Sequence, residues 1–328
     1  MFEVNIEKFN NFFIKRIVFL MICFILVNVV ANVSSESLIT DLFSHFKLQY
    51  FYLAIFFLFS FSYLSFFKKK FILFAIVSIL IMGINFVSLK PFFNQSFSIN
   101  GHNKDIRVGL FNVLTSNKKY ALVIKEIENE NPDIVIAQET NSLWLENIAS
   151  LKEKYPFFIE HPRDDNFGIA LYSKLPILEK SVEFWTEDEV PVVKVLFEKE
   201  NKRILLYAVH TLPPVSKEYF LTRNEMLKNI NQIIVQNNNK NIIIAGDFNT
   251  TNYSPNYKKY IGDANIFDAY IKLGNIFDGS WNVKHPPFMR ITLEHVLSTK
   301  DITPITYKKG SDIGSDHFPV FVDFSLWN

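Results

Sequence analysis

The chain has 328 residues, of which 49% are hydrophobic and 35 are phenylalanine, a composition that excludes an ordinary soluble enzyme for the whole chain. The formal net charge is +1, but the first ninety residues carry eight Lys or Arg and four Asp or Glu, whereas the rest carry 26 and 29. The slightly acidic remainder argues against capture of nucleic acid by bulk charge, and the single cysteine, Cys23, excludes an intramolecular disulfide.

Three apolar stretches come first along the chain, at residues 17–33, 48–67 and 71–89. Each has roughly the length that a helix needs to cross a hydrocarbon core of about 30 Å. Asn85 in the third stretch is tolerable if it faces a neighbouring helix. Residues 1–90 are therefore predicted to form a membrane anchor of three transmembrane helices.

The positive charges predict how these helices are oriented. Lys15 and Arg16 precede the first stretch, and residues 68–70 are three lysines between the second and third, whereas residues 34–47 have no cationic excess. Positive loops stay in the cytoplasm, so the N-terminus is predicted inside and everything after residue 89 outside the cytoplasmic membrane.

Three other interpretations of this region were weighed. The first stretch resembles a cleaved signal peptide only weakly, because no small-residue cleavage site stands out. A soluble helical bundle is disfavoured because none of the three stretches has a polar face. Because no ionisable residue lies in mid-span, an anchor is favoured over a transport pathway.

A polar, mixed segment at residues 91–104 is predicted to be a linker, after which strands and helices alternate. The predicted strands are residues 106–111, 133–138, 167–172, 190–197, 203–209, 242–245, 293–297 and 318–324, and the predicted helices are residues 118–131 and 216–237. This α/β pattern predicts a sandwich of two mixed β-sheets with helices outside.

Polar side chains directly follow four of the apolar runs. They are Asn112, Glu139, His210 and Asp247. The ends of strands from two sheets can lie together around one ligand pocket. Hydrolysis of a phosphate ester needs a divalent cation, a group that activates water and donors to the phosphate oxygens. Oxygen-rich side chains suit magnesium, and no Cys/His zinc spacing is present.

Five short segments carry this chemistry in order. They are Gly-Leu-Phe-Asn at 109–112, Ala-Gln-Glu-Thr at 137–140, Ala-Val-His-Thr at 208–211, Ala-Gly-Asp-Phe-Asn at 245–249 and Gly-Ser-Asp-His at 314–317. Together they resemble the endonuclease/exonuclease/phosphatase superfamily, over roughly residues 104–328. The resemblance implies a four-layer, DNase I-like α/β sandwich with a catalytic domain at residues 105–328. The anchored layout is similar to a bacterial, membrane-anchored subgroup.

The resemblance also implies how a metal would be held. Glu139 would be the principal ligand of a divalent cation, with Asn112 beside it. Magnesium is the metal expected, and manganese is the alternative. Taken singly, Asn112 could be a strand-end turn residue and Glu139 a carboxylate at a helix N-terminus.

The remaining implied roles are catalytic. His317 would be the general base that activates water, with Asp316 orienting it. Asp247 and Asn249 would position the nucleophile and the phosphate, and His210 would donate to a phosphate oxygen. Singly, each of these residues could belong to a loop or an Asx-type turn; the order of all five segments favours the catalytic interpretation.

One residue departs from the pattern of the superfamily. Glu294 stands where an aspartate is usual, and its extra methylene changes the reach by about 1.5 Å. The resemblance leaves two roles open for this acid, either orienting the catalytic histidine or supporting the outer shell of the metal, and Glu294 is therefore a candidate supporting residue. The phosphate-binding aromatic or arginine position is left open among Arg163, Asn166 and Tyr172.

The predicted function is hydrolysis of a phosphate ester, most readily a phosphodiester, by a membrane-tethered extracytoplasmic domain. The substrate is left open among a phospholipid, a nucleic acid and a small molecule; a tether would favour a lipid through effective concentration. Loops 211–216 and 250–278 are expected to set selectivity. The alternative is a catalytically impaired binding module with the same fold, and no protein partner can be inferred.

Overall fold

A computed structural model describes residues 2–33, 37–93, 104–237, 241–262 and 266–326. Contacts between residues divide the chain into two units, one of Met1–Lys90 with Tyr253–Pro255 and one of Pro91–Asn252 with Asn256–Asn328. Most of the predicted linker, residues 94–103, lies outside the described residues.

The N-terminal unit consists of helices α1 Phe2–Asn32, α2 Leu38–Ser44, α3 Lys47–Phe67 and α4 Ile72–Leu89. Three segments, Phe12–Asn32, Lys47–Phe67 and Lys69–Phe92, are long and apolar enough to cross a membrane. The three predicted apolar helices are thus confirmed as helices, and their insertion in a membrane remains a prediction. Two details differ from the prediction. Helix α1 begins well before residue 17, and helix α2 occupies part of the segment 34–47 that was predicted to be a loop. Residues 34–36 of that segment lie outside the described residues.

Polar side chains within this unit are paired between helices. Asn85 of α4 is buried and donates from Nδ2 to Oδ1 of Asn28 in α1 at 2.7 Å. Lys47 at the start of α3 donates to the carbonyl oxygen of Ala31 at 2.7 Å. Between apolar helices such bonds replace water as the partner of the polar group. Asn85 therefore faces a neighbouring helix, as its position required.

The second unit contains two six-stranded sheets. Its strands are β1 Ile106–Asn112, β2 Ile134–Gln138, β3 Phe157–His161, β4 Ile169–Ser173, β5 Ile177–Phe184, β6 Pro191–Lys199, β7 Lys202–Val209, β8 Asn241–Asp247, β9 Ile266–Asp268, β10 Glu294–Thr299, β11 Thr303–Lys309 and β12 Val320–Ser325. The strand order is β11-β12-β1-β2-β4-β3 in sheet A and β5-β6-β7-β8-β10-β9 in sheet B.

Each sheet has one parallel pair near its centre. Strands β1 and β2 are parallel in sheet A, and β7 and β8 are parallel in sheet B. The neighbouring pairs β1–β12 and β8–β10 are antiparallel. The carboxyl ends of each parallel pair therefore lie at the same end of the strands of their sheet, beside the amino end of an antiparallel neighbour.

Helices cover the outer face of each sheet. Those of the second unit are α5 Tyr120–Glu130, α6 Ser142–Asn147, α7 Leu151–Lys154, α8 Lys217–Gln236, α9 Pro255–Tyr257 and α10 Ala269–Lys272. Val123 and Ile127 of α5 pack with Trp144 against sheet A, and Met226 and Ile230 of α8 pack against sheet B. Alternate strand residues face the other sheet. The predicted four-layer α/β sandwich of two mixed sheets, preceded by apolar helices, is confirmed.

Candidate active site

Five polar side chains stand at the ends of central strands of both sheets, at one end of the sandwich. Asn112 ends β1 and Glu139 follows β2, whereas Asp247 ends β8 and His210 follows β7. Glu294 begins β10 and pairs in register with Asp247, because β10 runs antiparallel to β8. The sheet topology thus explains why residues far apart in sequence meet.

Asn112 joins the carboxylates of the two sheets. Its side chain is buried, and Nδ2 donates to Oε1 of Glu139 at 2.8 Å and to Oδ2 of Asp247 at 3.2 Å. An amide that donates to two carboxylates at once lowers the repulsion between them. The two acidic groups are thereby linked through one amide nitrogen.

Glu139 adopts an unusual backbone conformation. Its φ is +63°, the left-handed region that residues with a Cβ rarely adopt. The hydroxyl of Thr115 donates to the Glu139 carbonyl oxygen at 2.8 Å, and the Thr115 amide donates to Oε2 at 3.4 Å. Burial raises the pKa of Glu139, although the bond from Asn112 opposes the rise. Local contacts thus hold its carboxylate at the site.

Gln138 connects the two sheets directly beneath the site. It is fully buried, donates from Nε2 to the Val209 carbonyl oxygen at 2.8 Å and accepts from the Asp247 amide at 3.0 Å. The sheets approach so closely here that a Cβ on Gly246 would lie 1.6 Å from the Val209 oxygen. Only glycine fits at this position.

Replacing Gln138 with leucine is expected to destabilise the domain by about 2–5 kcal/mol, because two buried backbone groups would lose their partners. Chemical denaturation of the full chain in detergent, followed by tryptophan fluorescence, measures the change. The exposed Gln236→Leu change on α8 is the control. Equal stability of the two variants would contradict a structural role for Gln138.

His317 is held by Glu294. Nδ1 of His317 is hydrogen-bonded to Oε1 of Glu294, and the hydroxyl of Ser280 donates to Oε2 of Glu294. Nε2 of His317 lies 3.7 Å from Oδ2 of Asp247. Burial alone would lower the pKa of His317. The opposite effect is larger: the pKa is raised to about 10 by the charge and hydrogen bond of Glu294 and by the charges of Asp247 and Asp316. Burial opposes ionisation of Glu294, but His317 and Ser280 keep its pKa below the ordinary value.

Asp316, predicted to help orient and charge His317, lies close to the ring but bonds a different side chain. Its Oδ2 accepts from Nε1 of Trp281 at 3.0 Å, and its Oδ1 is 4.0 Å from Nε2 of His317. The carboxylate that binds Nδ1 comes from Glu294, the first residue of β10 in sheet B.

Asp247 and Asn249 are fixed in one turn. The Asn249 amide donates to Oδ1 of Asp247 at 2.8 Å, and Nδ2 of Asn249 donates to the Thr211 carbonyl oxygen at 2.8 Å. Asn249 has φ +46°, which asparagine tolerates. Burial raises the pKa of Asp247 to about 7, against the opposing effect of His317.

A buried arginine supports this turn from helix α8. Arg223 is fully buried and donates from Nη1 to the carbonyl oxygen of Asn249 at 3.3 Å. Arg223 is not part of any of the five segments, but it occupies a position of the apolar stripe formed by Phe220, Leu227 and Ile230. A charge on such a stripe was the available signal, because buried arginines need specific partners.

His210 is buried beside the carboxylates. Its Nε2 lies 3.9 Å from Oδ2 of Asp247, and its ring packs against Phe167 with 5.4 Å between centroids. Burial lowers the pKa of His210 to about 3, helped by the charge of His317. Within the described part of the chain, its Nδ1 has no hydrogen-bond partner. A neutral imidazole at this point can donate to an incoming oxygen.

Two sets of side chains offer ligand atoms for a cation. Asp247, Glu294 and His317 offer ligand atoms within 4.8 Å of one another, with Glu294 also bonded to His317 and Ser280. Glu139 and Asp247, bridged by Asn112, provide the oxygen donors that magnesium prefers, and these oxygens also accept hydrogen bonds from Asn112, Thr115 and Asn249. Asp247 belongs to both sets.

The residues left open for phosphate binding are dispersed. Tyr172 is buried under the helices of sheet A and donates to Oε1 of Glu160 at 2.7 Å, which removes it from the site. Arg163 pairs with Asp165 and donates to the Glu189 carbonyl oxygen at 2.9 Å. Asn166 has φ +70° and precedes Phe167, the residue that packs on His210.

A groove of about 1160 Å³ lies away from these residues. It is lined by the first residues of β7, Lys202 and Arg203, and by Asn241 at the start of β8. His210 and Asp247 are at the opposite ends of the same strands, which are roughly 25 Å long. The groove therefore does not belong to the candidate site.

The sequence profile of the Endonuclease/Exonuclease/phosphatase family matches residues 109–317, and the chain belongs to this family. Comparison with curated protein sequences finds no match. The family places the chain among the phosphoesterase hydrolases.

Solved structures share the fold at low sequence identity. The humanized D. rerio TDP2 with 14 mutations matches with a TM-score of 0.57 and 17% identity, over 67% of this chain and 98% of that one. An endonuclease/exonuclease/phosphatase from Beutenbergia cavernae gives 0.57 and 16%, over 69% and 72%. The mannosyl-6-phosphatase of Bacteroides thetaiotaomicron gives 0.54 and 17%, over 67% and 99%.

Proposed function

We propose that this chain is a divalent-metal-dependent phosphodiesterase in which His317 activates water. The proposal is carried by one arrangement: Asn112 bridges Glu139 and Asp247, and Nε2 of His317 faces the same Asp247 oxygen that Asn112 contacts. A hydrolytic site needs a cation position and a proton acceptor next to each other, and this arrangement provides both.

Glu139 and Asp247, with Asn112 beside them, would hold the cation. When bound, a divalent cation neutralises negative charge on the phosphate oxygens. Magnesium is proposed because the donors are oxygens, and manganese would accept the same set. Asn112 keeps its amide between the two carboxylates and so fixes their separation.

His317 would take the proton of the attacking water at Nε2. Glu294 holds Nδ1–H and stabilises the imidazolium that forms. Without a counter-charge the surrounding carboxylates raise the pKa of His317 to about 10, so the ring is protonated at neutral pH. Positive charge beside Glu139 and Asp247 lowers this pKa toward the range in which Nε2 can act as a base.

His210 and Asn249 would bind the phosphate as negative charge develops. Because its pKa is lowered to about 3, His210 is neutral across physiological pH and keeps one N–H to donate. Asn249 is fixed by the Thr211 and Asp247 contacts, so no side-chain reorganisation is required during the reaction.

The alternative of an impaired binding module is not favoured. It was motivated by Glu294, whose side chain is longer than the aspartate usual in the superfamily. In the structure Glu294 bonds Nδ1 of His317 with one oxygen and accepts from Ser280 with the other. The longer side chain therefore still makes the contact that a catalytic histidine needs.

We further propose that the apolar helices span the cytoplasmic membrane and place the hydrolase domain outside it. The lysines and arginines at residues 15–16 and 68–70 support this orientation. A phosphatase reporter, active only outside the cytoplasm, is expected to be active when fused after Leu89 and inactive when fused after residue 69. The reverse result would contradict the orientation.

The activity test uses the full chain in detergent with magnesium or with EDTA. Its substrates are bis-p-nitrophenyl phosphate, p-nitrophenyl phosphate, single-stranded DNA and phosphatidylinositol in mixed micelles. Metal-dependent cleavage of a diester supports the proposal. Cleavage of the monoester alone would refute the diester assignment, and full turnover in EDTA would refute the metal requirement.

A further inference from the structure

A hairpin stands at the edge of the candidate active site. The backbones of Trp281 and Ile291 exchange two hydrogen bonds, at 2.9 and 2.7 Å, and enclose residues 282–290, here called the rim hairpin. The Val283 amide donates to the Asp316 carbonyl oxygen at 2.9 Å, and Trp281 is also bridged to His317. The hairpin is therefore attached beside the residues proposed to activate water.

The rim hairpin has a defined internal structure. Nε of Arg290 donates to the His285 carbonyl oxygen at 2.8 Å, and Nη2 donates to that of Val283 at 3.1 Å. Pro287–Met289 form a 3-10 turn at the tip. These bonds restrict the conformations of the loop, so the side chains at its tip are presented in a fixed direction.

The tip exposes a continuous apolar segment. Pro286, Pro287, Phe288 and Met289 are all exposed, with Phe288 at 60% and Met289 at 47% of full exposure. Four consecutive exposed apolar residues on an ordered loop are a disfavoured surface in water. Such a segment is typical of a surface that is covered in use.

The charged residues within the rim hairpin itself are all basic. Lys284 and Arg290 flank the apolar tip, and no acidic residue occurs in residues 282–290. This contrasts with the domain as a whole, which carries more acidic than basic side chains. An apolar tip between cations matches the boundary of an anionic bilayer, where apolar side chains enter the acyl region and cations pair with phosphates.

We propose that the rim hairpin docks on an anionic lipid surface and brings the mouth of the active site to phosphate esters at that surface. The inference rests on the proposed function, because membrane-spanning helices would keep the domain close to a bilayer. Residues 91–105 join the predicted anchor to β1 in the sequence. For a tethered domain, weak insertion of one apolar tip is enhanced by effective concentration.

Site-directed fluorescence on the full chain tests this inference. Cys23→Ser removes the single native cysteine, and Met289→Cys then accepts an environment-sensitive nitrobenzoxadiazole label. The protein is reconstituted in phosphatidylcholine vesicles with or without phosphatidylglycerol. Val235→Cys on α8, exposed at 62%, is the matched control.

The label at residue 289 is expected to shift to the blue and to lose emission when acyl-chain spin-labelled lipid is included. Both effects are expected to be larger with phosphatidylglycerol and smaller in high salt, and Val235→Cys should show neither. Adding Lys284→Glu to the labelled protein should reduce the quenching, whereas Lys228→Glu on α8 should not.

Equal behaviour of the two labels in anionic vesicles would overturn the inference. A shift at residue 289 with single-stranded DNA in detergent, but not with lipid, would overturn it in favour of nucleic acid. Hydrolysis of bis-p-nitrophenyl phosphate is measured on the same samples. Hydrolysis without lipid contact rejects only the lipid surface, whereas lipid contact without hydrolysis supports the surface and rejects the proposed function.

Discussion

Replacing His317 with alanine is expected to lower kcat for a phosphodiester about a thousandfold, the scale of losing a general base. Nε2 of this ring faces the Asp247 oxygen, and Nδ1 is held by Glu294. Initial rates with bis-p-nitrophenyl phosphate and saturating magnesium measure the loss.

The pair formed by His317 and Glu294 provides the control. Glu294→Gln should lower kcat by about 10- to 100-fold, since the ring loses its orienting charge but keeps a partner. The double variant should be no slower than His317→Ala alone, because the two residues act as a unit. Independent, additive losses would contradict the pairing. Near-normal rates in His317→Ala would contradict its role as the base.

Replacing Glu139 with glutamine is expected to weaken magnesium binding and to lower kcat/KM by about 100-fold or more. The change removes one charge while preserving shape and the contact with Asn112. In the parent protein, magnesium should raise the melting temperature by mass action, and this rise should be lost in the variant. Thermal unfolding with and without magnesium measures both.

Two controls make the Glu139 result specific. Glu128→Gln, on the exposed face of helix α5, removes the same charge away from the site and should leave the magnesium effect intact. Glu294→Gln should retain most of the magnesium effect, because both oxygens of Glu294 are occupied by His317 and Ser280. Loss of metal binding in Glu294→Gln but not in Glu139→Gln would reassign the cation to the other set.

The sequence predicted the interior strands of both sheets but not the edge strands. The eight strands predicted from apolar runs correspond to β12, β1, β2 and β4 of sheet A and β6, β7, β8 and β10 of sheet B, the interior strands of both sheets. The four edge strands β3, β5, β9 and β11 were missed. Edge strands have one bonded neighbour and partly exposed faces, so their apolar pattern is weak. Strand β5, with the sequence Ile-Leu-Glu-Lys-Ser-Val-Glu-Phe, is exposed along most of its length.

The members of the site were predictable because strand ends carry polar residues. Asn112, Glu139, His210, Asp247 and His317 meet as the five segments implied, and their catalytic roles remain predictions. Partners that act across the fold were not predictable. Gln138 bridges the two sheets, and Arg223 of α8 donates to the turn at Asn249. Both contacts depend on how the layers of the sandwich pack, and the local sequence pattern contains no information about that packing. For the same reason the sequence left both Asp316 and Glu294 open as residues that orient His317.

The path of the chain through the two sheets has a consequence for biosynthesis. Strands β1 to β4 build most of sheet A, β5 to β10 build sheet B, and only then does β12 return to pair with β1. His317 lies just before β12, so the ribosome supplies it after Glu139, His210 and Asp247. A nascent chain therefore lacks His317 and leaves one edge of β1 unpaired until β12 emerges. An unpaired edge can pair with another chain, so the stage before β12 is made is the one most in need of chaperone protection.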